Sequence, residues 1–103
     1  MAFKVGDKIK FAGEKQKYTI KAASDRYLIC TKPLYLYDNC ICTIVDFERG
    51  VRGTNNLVFN IYDYMIQEDI NNCLKDLLNG DVEVSRRNCV SLSIEGGETC
   101  VNT

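Results

Sequence analysis

Two arginines, Arg49 and Arg52, stand in a stretch punctuated by Gly50 and Gly53 and followed by Thr54, Asn55 and Asn56. Guanidinium groups grip phosphates and carboxylates through paired N–H donors, and neighbouring amides can complete such a site. The glycines supply the positive φ values that a tight reversal needs. The stretch therefore reads as a glycine-containing hairpin loop from which Arg49 and Arg52 project, with Asn55 beside them. A plainer reading stands next to it: arginines on loops are common, and only some loops carry function. A second polar group, Arg86, Arg87 and Asn88, interrupts a strand-like segment further on. If the two groups meet in space they form one anion site; if they are held apart that idea fails. Tyr35 and Tyr37 are a third candidate, an aromatic contact surface, since a tyrosine combines an apolar body with a polar tip. Alternatively Leu34 and Leu36 plug the core and the tyrosines only cap it.

The residue types that most enzymes rely on are missing or badly spaced. The chain has no His. That removes the commonest general base and zinc ligand and makes a Ser–His or Cys–His pair impossible within it. Acids such as Asp46 and Glu48 are present, but there is no nucleophile motif and no metal-ligand spacing. Six Cys stand at 30, 40, 42, 73, 89 and 100, with no C-x-x-C pair among them. Four of them fall in strand-like segments, where Cys acts as a small hydrophobe. The opening residues lack the apolar core of a secretory signal, so reduced thiols in the cytoplasm are expected. No enzyme activity, cofactor or metal is called for.

At 103 residues the chain has the length of one domain with a modest core, and its 46% apolar and 26% charged residues are ordinary for a globular protein. Net charge is −1 but is unevenly placed: residues 1–32 carry a net +5 and residues 33–103 a net −6. This asymmetry offers a basic face, unless folding interleaves the two halves. No apolar run is long enough to span a membrane.

The elements that must position these groups are short. Lys8 to Phe11 alternates, with Ile9 and Phe11 inward and Lys8 and Lys10 toward water. Gln16 to Ala23 alternates again, with Tyr18, Ile20 and Ala22 inward. Arg26 to Lys32 is a third strand with Tyr27 and Ile29 on one face and Leu28 and Cys30 on the other. Pro33 ends it. The longest β-prone run, Cys40 to Phe47, is apolar on both faces until Asp46 and reads as a central strand. Leu57-Val58-Phe59 resumes a strand after the loop. One helix is expected at about 67–79, from Ile70, Cys73, Leu74, Leu77 and Leu78 at helical spacing, acidic residues in its first turn and Gly80 just past its end. Asp81 to Val84 begins another strand. Cys89 to Ile94 closes the sheet with Val90, Leu92 and Ile94 inward, and a flexible tail follows from residue 95. The fold class is mostly β (α+β): a small barrel of short antiparallel strands over residues 1–94, with one amphipathic helix packed on it.

Val5-Gly6-Asp7-Lys8-Ile9 and the basic alternating strands after it resemble the first hairpin of SH3-like barrels of the KOW or translation-factor kind. Over most of its length the chain resembles small proteins of bacteriophages and mobile elements. The residues that carry this likeness are Phe3 to Asp7, Tyr18-Thr19-Ile20, Arg26-Tyr27, Thr43 to Asp46, Val51 to Leu57 and Glu83 to Asn88. The resemblance implies a genomic setting and not a mechanism. By analogy with small phage proteins that lack catalytic groups, an accessory protein in the cytoplasm of a bacterial host is expected, one that binds and inhibits a host macromolecule, of the anti-defence type, such as an anti-CRISPR-like inhibitor. A host protein is the first expected partner. A nucleotide or nucleic acid, including a signalling nucleotide held by a sponge, is the alternative, with arginines on phosphates and tyrosines stacked on bases. A homodimer stays open.

Overall fold

The computed structural model describes residues 3–33, 40–53, 67–84 and 89–95. Seven antiparallel strands make one sheet: β1 (Lys8–Phe11), β2 (Tyr18–Ala23), β3 (Tyr27–Pro33), β4 (Cys40–Asp46), β5 (Val51–Gly53), β6 (Cys89–Ser91) and β7 (Ile94–Glu95). One helix, α1 (Gln67–Asn79), lies between β5 and β6 in sequence. The strand order is β6-β5-β4-β3-β2-β1-β7. The two edge strands are separated in sequence only by Leu92 and Ser93, so the sheet must curl until its edges nearly meet. Hydrogen bonds on either side hold that joint, from the Leu92 N–H to the Gly50 carbonyl (2.9 Å) and from the Ala12 N–H to the Ser93 carbonyl (2.8 Å).

Both faces of the central strands β3 and β4 are buried. Inside the curl lie Ile9, Phe11, Tyr18, Ile20, Leu28, Cys30 and Val45, with Leu92 and Ile94 against them from the closing segment. Outside it, Ala22, Tyr27, Ile29, Cys42 and Ile44 pack under Ile70 and Leu77 of α1 and under Val84. The unbroken apolar runs of β3 and β4 follow from this, because successive residues serve opposite cores. Helix α1 ends as its sequence suggests. Gly80 takes φ 81° and donates to the Leu77 carbonyl, while the Asp81 N–H reaches back to the Asp76 carbonyl (2.9 Å). That pair of bonds satisfies the last carbonyls in a Schellman arrangement.

The structure departs from the alternation read in the sequence at four places. In β2, Ile20 and Ala22 pair with successive residues Cys30 and Ile29, so Lys21 is an extra, bulged residue. Ile20 thus faces the inside of the curl while Ala22 faces the helix. The bulge is held from outside by the Gln67 side-chain amide, which donates to the Lys21 carbonyl. Second, the hairpin loop is only the four residues Phe47–Gly50, and Val51, Arg52 and Gly53 already form β5. Third, residues 81–84 are not a strand, although Val84 is buried beside the helix. Finally, β7 takes in Glu95, where the tail was expected to start, and Val90 is 44% exposed. The strand expected at Leu57-Val58-Phe59 and tail residues 96–103 lie outside the described residues.

Leu77 is the central contact between helix and sheet, 1% exposed. Leu77→Ala should cost about 2–5 kcal/mol, the usual range for emptying such a site. Urea unfolding followed by circular dichroism checks this; a loss near zero would mean that the helix is not docked as described.

Candidate functional site

The two ends of the curled sheet each hold a charged cluster, and each cluster is built around an arginine and a carboxylate. At the end that carries the β4–β5 turn, Asp46 is the last residue of its strand and 1% exposed. Both its oxygens accept from Arg26, Oδ1 from Nε and Oδ2 from Nη2, each at 3.1 Å. Its Oδ1 also accepts the backbone N–H groups of Glu48 (3.1 Å) and Arg49 (3.2 Å). Arg26 further meets Glu48 at 3.5 Å and lies over the Tyr27 ring. Phe3 and Phe47 stack beside this turn, centroids 5.7 Å apart. Burial would push the Asp46 carboxyl up, but the Arg26 hydrogen bonds and the two turn N–H groups outweigh it and hold it below its ordinary value.

At the opposite end, Arg52 is drawn into the sheet. Its residue is 8% exposed, and its guanidinium lies 4.2 Å from the Phe11 ring centroid. One arm donates to the Thr43 hydroxyl (3.3 Å) and the other to Glu14 in the β1–β2 turn. The Thr43 hydroxyl itself donates to the Gly53 carbonyl, which fixes it as an acceptor for Arg52. Lys32, at the end of β3, donates to the other Glu14 oxygen (3.3 Å) and sits over the Tyr18 ring. Burial would raise the Glu14 carboxyl, yet the charge of Arg52 and the hydrogen bonds from Lys32 and Arg52 bring it below its ordinary value. Burial, with Glu14 nearby, pushes the Tyr18 phenol up.

This geometry changes the reading of the expected site. Arg52 does not project from a loop. It stands in β5 and faces the inside of the curl. Arg49 is half-buried in the turn and its Nη1 donates to the Val84 carbonyl (2.9 Å), on the helix side of the sheet. The two side chains therefore point to opposite faces and do not form a joint anion grip. Asn55, Arg86, Arg87, Asn88, Tyr35 and Tyr37 lie outside the described residues. Asp46, considered in the sequence as an acid–base candidate, has all its described bonds committed to Arg26 and the turn. The Cys30 thiol, 0% exposed, is pushed far up by burial. Missed in the sequence were the partners of Arg52, namely Glu14, Lys32 and Thr43. No local signal pointed to them, because Val51-Arg52-Gly53 has the composition of a turn and Glu14 lies 38 residues away.

A third feature is a surface. The outer side of β1 and the start of β2 carries Lys8, Lys10 and Thr19, with Lys17 next in the same register, and Lys21 follows at the bulge of β2. Lys8 donates to Thr19 directly opposite, and Lys10 pairs with Glu95 at 3.0 Å. Among the described residues, Lys8, Lys17 and Lys21 make no ion pair. Helix α1 packs on β2 and β3 but leaves the outer side of β1 uncovered. The helix and the residues after it, 67–84, carry Glu68, Asp69, Asp76, Asp81 and Glu83 against Lys75 alone. No ion pair among the described residues joins that acidic set to the lysines, so over this part of the molecule the charge asymmetry of the sequence survives folding. Among the described residues no helix is long and apolar enough to cross a membrane. Comparison with protein-family models, with curated proteins and with solved structures finds no match.

The Asp46 and Glu14 carboxylates are both held below their unfolded values. The stability they contribute is therefore complete above the unfolded carboxylate range and is lost as pH falls through the folded values. Unfolding free energy measured in urea should be flat from about pH 7 to about pH 5 and fall below about pH 4. Asp46→Ala should cost about 2–3 kcal/mol at neutral pH, because two turn N–H groups lose their acceptor, and should flatten the acid limb. An unchanged acid limb in that variant would show that Asp46 does not titrate as described.

Proposed function

We propose that this chain is an SH3-like barrel that works by binding, an accessory protein of phage or mobile-element type that occupies and inhibits a host macromolecule. The observation that carries this reading is the face of β1 and β2 on which Lys8, Lys17 and Lys21 make no ion pair among the described residues, while the acidic residues gather on α1 and the segment after it. The partner is best read as a host protein with an acidic patch. The chain's own net charge of −1 gives no overall pull toward a polyanion. A long nucleic acid laid on the lysines would also meet the repulsion of the acidic side, whereas a compact acidic patch would not. Of the acid–base candidates Asp46 and Glu48, Asp46 is committed to Arg26 and the turn, which favours binding over chemistry.

Nucleic acid is the second reading, and one observation favours it. Protein interfaces are poor in lysine, while phosphate backbones are commonly met by it. The discriminating experiment begins with the ultraviolet spectrum of the protein purified from bacterial cells. The chain has six Tyr and no Trp, so bound nucleotide would stand out as a 260 nm excess. A spectrum free of that excess is expected. Capture of a host protein should then be weakened roughly tenfold by the pair Lys8→Glu and Lys17→Glu, since exposed ion pairs are worth up to about 1 kcal/mol each and about 1.4 kcal/mol is tenfold. Capture should also fall with salt. Equal capture by the double variant would remove the lysine face from the proposal.

A further inference from the structure

Three of the groups at the Arg52 end belong to strands, and one does not. Arg52, Lys32 and Thr43 stand on β5, β3 and β4, with the Arg52 side chain 9% and the Lys32 side chain 17% exposed. Glu14 stands on the turn between β1 and β2, next to Gly13 at φ 87° and between exposed residues on either side. Its side chain is 25% exposed, the most accessible of the three charged groups. Two cations therefore converge from the rigid sheet on one carboxylate delivered by a surface turn. Their charge exceeds what that carboxylate neutralises. Arg52 is also held independently of Glu14, by the Phe11 ring beneath it and by the Thr43 hydroxyl, whose own proton is committed to Gly53.

We propose that this end of the curled sheet is a binding site for a small phosphate monoester, and that Glu14 occupies it in the free protein. A phosphate offers anionic oxygens in a geometry that a guanidinium fork accepts, as a carboxylate does. It differs in carrying close to two negative charges at neutral pH, which matches two cations where one carboxylate does not. Removing Glu14 without replacement would leave the buried Arg52 and the half-buried Lys32 unpaired, so a neutral ligand has no means to open the site. An anion that brings its own oxygens does, and exposed Lys15 and Lys17, flanking the same turn, favour its approach. Glu14 acts as an internal competitor, and the apparent affinity of the native chain is reduced by the fraction of time the site stands open. Of the lysine face only Lys17 is shared with this site; Lys8, on the outer side of β1, takes no part in it.

The test is a titration with inorganic phosphate and, separately, with a nucleoside 5′-monophosphate, at constant ionic strength set with chloride. Binding is read by calorimetry and by backbone amide shifts, for the native chain, Glu14→Ala, and Glu14→Ala combined with Lys32→Ala. Saturable binding to Glu14→Ala at least tenfold tighter than to the native chain is expected, with shifts at Arg52, Gly53 and residues 12–16, and loss of binding in the combined variant. Tighter binding of the nucleoside monophosphate than of phosphate assigns the site to an esterified ligand, and equal binding to phosphate itself. No saturable binding, equal affinity of the native chain and Glu14→Ala, or undiminished binding by the combined variant would each overturn the proposal. If Glu14→Ala does not fold, Glu14→Gln keeps the shape of the turn while removing the competing charge, and the same criteria apply.

Discussion

A carboxylate at the end of a central strand, out of contact with water, must be given donors or take up a proton. Asp46 is given four: two from Arg26 and two from the turn that follows it. The rest of that end depends on these bonds. They turn the chain at Phe47–Gly50, set β5 antiparallel on β4 and tie both to the residue just before β3. Once the turn is fixed, the Gly50 carbonyl is in place to accept the Leu92 N–H, and the closing segment Cys89–Glu95 has a point of attachment. The curl of the sheet therefore begins at a side chain rather than at an apolar contact. Packing then fills a shape that hydrogen bonds have outlined.

The opposite end solves the same problem with more distant partners. Arg52 and Glu14 are 38 residues apart, and Lys32 comes from a third strand. A buried ion pair of this kind adds little to stability over an apolar substitute but is costly to break. Its effect is on which strands can pair. An Arg facing the inside of the curl can be accommodated only if the β1–β2 turn folds over that end, so the cluster couples β5 to β1 across the interior before the closing segment joins them at the edge. The two ends thus constrain register in different ways, one through a local turn and one through a long-range pair.

What was legible in the sequence follows this division. The faces of β3 and β4, the helix and its glycine stop all rest on local pattern, and the structure carries them. The bulge at Lys21 was not legible. Tyr18, Ile20 and Ala22 continue the alternation smoothly, and because both faces of the sheet are buried there, nothing in the residue types marks the switch from one core to the other. The position of Arg52 was misread because a single charge between Val51 and Gly53 has the composition of a turn, and the carboxylate that makes it a strand residue lies far away in sequence. The lysines of β1 were read as facing water. That no described acid answers Lys8, Lys17 and Lys21 depended on where α1 lies, which no local pattern reports.

The joint at Leu92–Ser93 has a consequence for how the chain comes into being. Of the described strands β1 is synthesised first, and one of its two edges is paired only by Ile94 and Glu95. The Ala12 N–H waits for the Ser93 carbonyl over the same interval. A nascent chain that has released α1 can dock its helix on β2 and β3, yet it still shows an open strand at β1 and an unfilled place beside Phe11. Loop-closure entropy makes this last pairing the slowest to nucleate. The lysines on β1 then have a second use in time: they keep an edge that must stay unpaired during synthesis from adding to the same edge of a neighbouring chain.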